Sequence, residues 1–137
     1  MKLGLYSITY LGLWYRGEAL PLPAMITRAK KYGYDGIEID GKRPHGNPLD
    51  WPTRRCRELR SLADGEGIDI FAVAANNDFS YPVPEVREAQ ICFVRELIRM
   101  TADLGAPALR WPCRITAPSS ATTTTCCAWS ARWTLPP

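Results

Sequence analysis

Histidine is nearly missing from this sequence, because His45 is the single histidine among 137 residues. Divalent metal sites in enzymes need several imidazoles or carboxylates that converge on one point. One histidine and scattered acidic residues therefore predict no metal site within this chain. The same scarcity leaves no Ser-His-Asp or Cys-His set for nucleophilic catalysis, so the sequence assigns no catalytic residue and no resident cofactor.

Paired cysteines, a secretion signal and long apolar runs are also missing. The five cysteines include no CxxC pair, and their odd number argues for free thiols rather than a disulfide framework. The first residues contain no sustained apolar stretch that would form a signal peptide. No apolar run approaches the ~20 residues of a membrane helix. We therefore expect a cytoplasmic chain with no membrane partner.

A strong excess of charge is missing from the body of the chain. The formal net charge is +3, but residues 1–110 carry 15 basic and 14 acidic side chains. The rest of the excess comes from Arg114 and Arg132. Residues 1–110 are nearly neutral and so lack the excess of positive charge that binds the phosphates of nucleic acid. We therefore expect no nucleic-acid partner.

What the sequence does contain is a repeated return from helix to strand. Three helix-like stretches end at Gly33, Gly67 and Gly105, and a short apolar run follows each of them. The pattern predicts strands at residues 2–7, 36–40, 68–75 and from 108, with the third strand buried on both faces. It predicts helices at residues 22–32 and 85–104, and between them a helix capped by Asp50, with Pro52 in its first turn. The buried stripe of the last helix is predicted to hold Val86, Ala89, Phe93, Leu97 and Leu104.

Strict alternation of four strands and three helices predicts an α/β fold with a parallel sheet. Two architectures accept it: a partial (β/α) TIM barrel, whose complete form needs ~250 residues, and an open doubly wound sheet of the flavodoxin type, which fits in ~130. Length favours the open sheet. The segment Ser7–Gly12 after the first strand lacks a glycine-rich phosphate loop, and this favours the barrel.

Residues 111–137 differ in composition from everything before them. They contain no glycine and no acidic residue, but three of the five tryptophans and three of the five cysteines. No helical or strand period is visible in them. We interpret them as an irregular C-terminal tail, either disordered or translated out of frame. The alternative is an unusual natural tail.

Candidate binding residues follow the strands, since ligands bind at the carboxyl ends of strands in both architectures. Glu38 alternates with two isoleucines and is predicted to face away from the helices, either as a functional carboxylate or in an ion pair with Arg110. His45 lies in the loop that follows. Asn76 and Asn77 end the third strand, where they either bind hydroxyl groups or terminate the strand. The ends of the strands also offer Tyr6, Ser7, Asp40, Asp78 and Arg110.

Three segments carry a resemblance to a known family. Residues 1–6, the sequence GYDGIEI at residues 33–39, and residues 104–110 are similar to the N-terminal half of the sugar phosphate isomerase/epimerase family, the xylose isomerase-like TIM barrels. The resemblance implies a small-molecule sugar or sugar phosphate as substrate. It also implies a divalent metal for the full-length family, which moves a proton next to a carbonyl.

The resemblance places the metal ligands of the family on strands five to eight, beyond the part that this chain matches. It therefore implies a chain truncated before its metal ligands and inactive alone. Glu38, His45, Asn76 and Asn77 correspond to substrate-binding positions. Two alternatives remain: a non-catalytic half-barrel that associates with itself through exposed sheet edges, and a small flavodoxin-like binding domain.

Overall fold

The computed structural model describes residues 1–12 and 17–111. Two short 3₁₀ helices, Ser7–Tyr10 and Pro48–Asp50, lie in the loops after the first and second strands. The prediction for residues 112–137 lies outside the described residues. The main elements alternate as predicted: β1 (Gly4–Tyr6), α1 (Leu22–Lys31), β2 (Gly36–Asp40), α2 (Thr53–Glu66), β3 (Asp69–Ala74), α3 (Pro84–Asp103) and β4 (Leu109–Arg110).

The order of the strands decides between the two architectures. All neighbouring strands are parallel, and they lie in the order β1-β2-β3-β4. A flavodoxin-type sheet places β1 between β2 and β3, so the described sheet is not of that type. Sequential parallel strands joined by helices are the arrangement of a (β/α) barrel. The predicted partial TIM barrel is confirmed, and the flavodoxin-like alternative is wrong.

Glycine ends the helical segments because the backbone there takes a left-handed conformation. Gly67 follows α2 with a φ of 69°, and Gly33 and Gly105 have φ values of 75° and 71°. After Gly67 the Ile68 amide bonds to the Ala63 carbonyl at 2.9 Å and closes the end of α2. Residues with a Cβ rarely adopt this conformation, so the helix-to-strand returns were readable from the sequence.

The start of α2 differs from the prediction. Asp50 does not cap this helix, which begins at Thr53 with Pro52 as its cap residue. The carboxylate of Asp50 accepts two hydrogen bonds from the Arg43 guanidinium, at 2.6 and 2.8 Å. Asp50 is the last residue of the preceding 3₁₀ helix, and its carboxylate pairs with Arg43 instead of capping α2.

The buried stripe of α3 also differs from the prediction. Leu97 and Leu104 are buried as expected, but Ala89 is exposed and Val86 only half-buried. Val94 and Met100 take their places in the core. The 20 residues of α3 span about 30 Å, whereas the six residues of β3 span about 20 Å. The first turns of α3 therefore extend past the sheet.

The core lies between the sheet and the helices. Ile37 and Ile39 are fully buried on this outer face, as the alternation of β2 predicted, while Glu38 lies on the opposite, inner face. The prediction that β3 is buried on both faces is wrong at Phe71, which is 37% exposed. A register shift between β2 and β3 accompanies this residue.

Two further properties bear on the sequence predictions. Cys56 and Cys92, the cysteines within the described residues, are both free thiols. Among the helices of residues 1–12 and 17–111, none has the length and apolar character to cross a membrane.

Candidate functional site

Five polar side chains form a connected group at the carboxyl ends of the strands. We call it the strand-end cluster: Tyr6 of β1, Glu38 and Asp40 of β2, Asn76 after β3, and Arg110 of β4. Parallel strands bring their carboxyl ends to one edge of the sheet, where barrel enzymes hold their active sites. Residues far apart in sequence thus meet on one surface.

An ion pair joins the second and fourth strands. The Arg110 Nε donates a hydrogen bond to the Glu38 carboxylate, whose side chain is only 12% exposed. The ion pair that the sequence offered as an alternative role for Glu38 is therefore present. A buried carboxylate needs such a partner, because an unpaired charge in this position is strongly disfavoured.

Arg110 also connects the two edge strands of the described sheet. Its guanidinium carbon lies 5.2 Å from the centre of the Tyr6 ring. Tyr6 belongs to β1 and Arg110 to β4, so side chains of the first and last strands meet over the inner face. The sheet is therefore curved in the way that a barrel requires.

Asp40 is the hydrogen-bond centre of the cluster and is 3% exposed. Its Oδ1 accepts hydrogen bonds from the Tyr6 hydroxyl at 3.2 Å and from Asn76 Nδ2 at 2.5 Å. Its backbone amide donates to Ser7 Oγ at 2.8 Å. Burial raises the pKa of the Asp40 carboxyl, although both side-chain hydrogen bonds act in the opposite direction. Burial also raises the pKa of Tyr6.

Asn76 is held in one orientation by its neighbours. Its amide nitrogen donates to both Asp40 Oδ1 and the Tyr6 hydroxyl, the latter at 3.1 Å. Because the two acceptors fix the nitrogen, they also fix which way the amide oxygen points. Asn76 is itself exposed, so its carbonyl oxygen is suited to accept a hydrogen bond from a ligand hydroxyl.

His45 lies outside this network and joins two loops. Its Nε2 lies 3.0 Å from the Leu20 carbonyl, and Trp51 Nε1 donates to the His45 carbonyl. A carbonyl only accepts, so Nε2 carries the proton and Nδ1 is left as an acceptor. This Nδ1 is buried and has no hydrogen-bond partner among the residues that the structure describes. Burial lowers the pKa of His45, so the ring is neutral at pH 7.

Asn77 is likewise separate from the strand-end cluster. Its amide nitrogen donates to Gln90 of α3 at 2.5 Å, whereas its Oδ1 is buried and has no partner within residues 1–12 and 17–111. The four residues predicted to bind substrate thus fall into two sets. Glu38 and Asn76 belong to the cluster, while His45 and Asn77 each hold a loop.

The sequence prediction missed a lysine beside the cluster. Lys42 Nζ lies 4.1 Å from the centre of the Phe93 ring, and burial lowers the pKa of Lys42 against the opposing charge of Asp40. Its position two residues after Asp40 was the only signal in the sequence. Tyr6, Asp40 and Arg110 were candidates from their place at the strand ends but were not chosen as binding residues.

The described residues do not fit a divalent metal. Within residues 1–12 and 17–111, no three His, Cys, Asp or Glu side chains are grouped so as to hold one. Glu38 is paired with Arg110, and Asp40 accepts hydrogen bonds from Tyr6 and Asn76. What this cluster offers is a set of hydrogen-bond donors and acceptors around one buried acid, which suits a ligand with several hydroxyl groups.

Comparison with known proteins identifies the family. The family model described as xylose isomerase-like TIM barrel matches residues 26–132, which is most of the chain. The chain belongs to this family. The match also extends past residue 110, into the segment that the sequence analysis set apart as a tail. A search of the curated proteins finds no match.

Solved structures share the fold. A D-psicose 3-epimerase from Clostridium cellulolyticum H10, crystallised with D-tagatose, is 24% identical with a TM-score of 0.62, over 82% of this chain and 37% of that one. A D-psicose 3-epimerase structure obtained in the presence of D-fructose is 19% identical, with a TM-score of 0.64, over 88% and 42%. A xylose isomerase domain protein from Salmonella typhimurium LT2 is 20% identical, with a TM-score of 0.54, over 79% and 35%. This chain therefore spans less than half the length of these structures.

Proposed function

We propose that this chain supplies the sugar-binding half of a sugar isomerase or epimerase site. The observation that carries the proposal is the strand-end cluster, which gathers a buried acid, a phenol, an amide and an ion pair on the inner face of a barrel sheet. Hydroxyl groups of a sugar are donors and acceptors at once, and such mixed sets bind them. The family and the epimerase structures with the same fold support this class of ligand.

Each predicted binding residue has a role in the proposal. The amide oxygen of Asn76, oriented by Asp40 and Tyr6, accepts a hydrogen bond from a sugar hydroxyl. Glu38 holds Arg110 over Tyr6, and together they form one wall of the site. His45 and Asn77 act through their loops, which they hold by their hydrogen bonds to the Leu20 carbonyl and to Gln90.

The isomerase chemistry of the family requires groups that these residues do not provide. We propose that the divalent metal and its ligands belong to the remaining strands of a complete barrel. The described half alone would then bind a sugar but would not catalyse its isomerisation. The proposed ligands include sugar phosphates as well as free sugars. Arg110 and Lys42 are the cations near the cluster that would recognise one.

Titration of the ¹⁵N-labelled chain with D-fructose, followed by NMR, tests sugar binding. We expect saturable shifts at the Asn76 side-chain amide and at the backbone of β2, with glycerol at equal concentration giving none. The Asn76→Ala variant should lose the shifts, whereas Ser61→Ala, an exposed change on α2, should keep them. Shifts that do not saturate, or that survive in Asn76→Ala, contradict the proposal.

A non-catalytic role is the second candidate. It is favoured by the observation that both carboxylates of the cluster already have partners within the chain. A half-barrel that binds no sugar in the titration, yet folds cooperatively, would support this role instead.

A further inference from the structure

Lys42 is the one lysine of the chain that lies at the carboxyl ends of the strands. The other three are exposed and lie elsewhere: Lys2 near the N-terminus, and Lys30 and Lys31 at the end of α1. Lys42 is half-buried and follows the buried Asp40 by two residues. It is therefore the lysine whose surroundings differ most from water.

The backbone fixes the place of Lys42 although this residue lies in a loop. The amide of Gly41 donates to the Ala74 carbonyl at 2.9 Å, which ties the residue before Lys42 to the end of β3. A Cβ on Gly41 would meet that carbonyl at 2.6 Å, so this close approach requires glycine. The Lys42 carbonyl accepts hydrogen bonds from the amides of His45 and Gly46, both at 3.0 Å. The backbone is thus held on both sides of Lys42.

The amine of Lys42 has an apolar ring on one side and an acid nearby. Its Nζ lies 4.1 Å from the centre of the Phe93 ring, which is half-buried on α3. Within residues 1–12 and 17–111, Lys42 forms no ion pair. Burial lowers the pKa of Lys42, and the nearby charge of Asp40 opposes this only in part. A larger fraction of this amine is therefore neutral at pH 7 than in an exposed lysine.

We propose that Lys42 is a covalent binding site for small aldehydes and ketones, which it holds as a Schiff base. Lysines that react with carbonyl groups are those whose amine is partly withdrawn from water. In barrel enzymes, reactive side chains come from the carboxyl ends of the strands. Lys42 meets both conditions. The inference goes beyond the proposed sugar binding, since it requires no recognition of hydroxyl groups.

The reaction is a condensation that needs no oxidant or reductant. The lone pair of the neutral amine attacks the carbonyl carbon, and a C–N bond forms. Both amine protons then leave with the carbonyl oxygen as water, so that a C=N bond replaces the C=O bond. The Asp40 carboxyl, whose charge acts on the amine, relays these protons. When protonated, the Schiff base retains the positive charge that the Phe93 ring attracts.

Reductive trapping on the full chain tests the proposal. Glycolaldehyde with sodium cyanoborohydride converts each Schiff base into a stable secondary amine, and peptide mapping by mass spectrometry locates it. At limiting aldehyde, we expect Lys42 to hold most of the lysine adduct. If exposure alone governed the reaction, Lys2, Lys30 and Lys31 would hold it instead, and that outcome overturns the proposal. Adduct at the α-amine of Met1 is counted separately, because an ordinary pKa of about 8 makes this group reactive in any chain.

A matched pair of arginine variants assigns the adduct. Lys42→Arg keeps a cation over Phe93, but a guanidinium is always charged and forms no Schiff base. Most of the lysine adduct should therefore be lost in Lys42→Arg, whereas Lys30→Arg, an exposed change on α1, should leave the total nearly unchanged. Circular dichroism checks that both variants fold. An unchanged total in Lys42→Arg contradicts the proposal.

The preference for Lys42 should also depend on the fold. In guanidinium chloride the lysines are all exposed to water, and the adduct at Lys42 should fall to the level of the others. A preference that survives denaturation comes from the local sequence and overturns the proposal. Because glycolaldehyde needs no sugar site, a failure of this test leaves the D-fructose titration unaffected, and a failed titration leaves the Schiff base standing.

Discussion

Arg110 and Glu38 are 72 residues apart in the chain, and their side chains form an ion pair on the inner face of the sheet. The pair joins β4 to β2 without a hydrogen-bonded strand contact between them. Glu38 is mostly buried, whereas about a third of the Arg110 side chain is exposed. The pair therefore stabilises the curvature of the sheet as well as the charge of the acid.

Removing Arg110 alone should destabilise the fold more than removing both members of the pair. Arg110→Met leaves the Glu38 carboxylate buried without a counterion, and we expect a loss of about 2 kcal/mol in the free energy of unfolding. Glu38→Gln combined with Arg110→Met should recover part of this loss, since no buried charge remains. Urea unfolding monitored by circular dichroism measures both changes.

An exposed ion pair provides the control for this prediction. Lys2 and Asp69 lie 2.9 Å apart, with side chains that are 80% and 63% exposed. Lys2→Met should change the free energy of unfolding far less than Arg110→Met does, because water and salt screen an exposed pair. Equal effects of Lys2→Met and Arg110→Met would show that burial does not distinguish the two pairs.

Asp40→Asn should stabilise the fold at neutral pH. Burial raises the pKa of Asp40, so the folded state disfavours the ionised form that is present above this pKa. Asparagine retains an acceptor for Tyr6 and Asn76 without the charge, and we expect a gain of about 0.5–1 kcal/mol. The gain should shrink as pH falls towards the ordinary pKa of an aspartate. A gain of the same size at pH 3 would assign the effect to packing.

Acidification should destabilise the fold through His45. Burial lowers its pKa below 6.5, so in this range the unfolded state binds more protons than the folded state. The His45 contribution to stability is present above the ordinary pKa and is lost as pH falls through 6.5 towards the lowered value. His45→Gln, which retains a donor for the Leu20 carbonyl, should remove this pH dependence.

No second histidine contributes to this pH dependence, because the chain has only one. Unfolding curves between pH 7.5 and 5, compared for the parent chain and His45→Gln, measure the difference. Parallel curves for the two proteins would mean that groups other than His45 cause the pH dependence.

Two glycines near the end of α2 should respond oppositely to alanine. Gly67 has a φ of 69° and no close obstacle other than Lys30 Nζ at 3.6 Å, so Gly67→Ala should lose about 1 kcal/mol through backbone strain alone. Gly65 lies within the helix, and the position that a Cβ would take there is open. Gly65→Ala should therefore raise the free energy of unfolding by about 0.5–1 kcal/mol. Thermal unfolding of both variants measures whether each substitution stabilises or destabilises the fold. A gain at Gly67 would contradict the left-handed conformation.

The order of helices and strands could be predicted from the sequence because it depends on residues that are close together in the chain. Glycine supplies the left-handed turn at Gly33, Gly67 and Gly105, and alternation around Glu38 separates the two faces of β2. Boundaries were less readable. Asp50 was predicted to cap α2, but the cap lies two residues later at Pro52, and the Asp50 carboxylate pairs with Arg43.

The candidate site was predicted as a set of positions but not as a network. The sequence placed Glu38, Asn76 and Arg110 at strand ends, and the structure shows which of them touch. His45 and Asn77 also follow strand ends in the sequence, yet their side chains bond to Leu20 and Gln90. No periodicity encodes that difference, since it depends on where the loops pack.

The sequence by itself determined the order of strands and helices, the buried face of β2 and the positions that follow the strands, because these depend on residues close together in the chain. Only the tertiary structure decided that β1 pairs with β2 and lies at one edge of the sheet formed by the described residues, that Phe71 covers Gly4 and Gly36, and that Asp40 is the centre of the cluster. These features depend on contacts between segments more than 30 residues apart, and such contacts form only when the parallel strands bring the segments together.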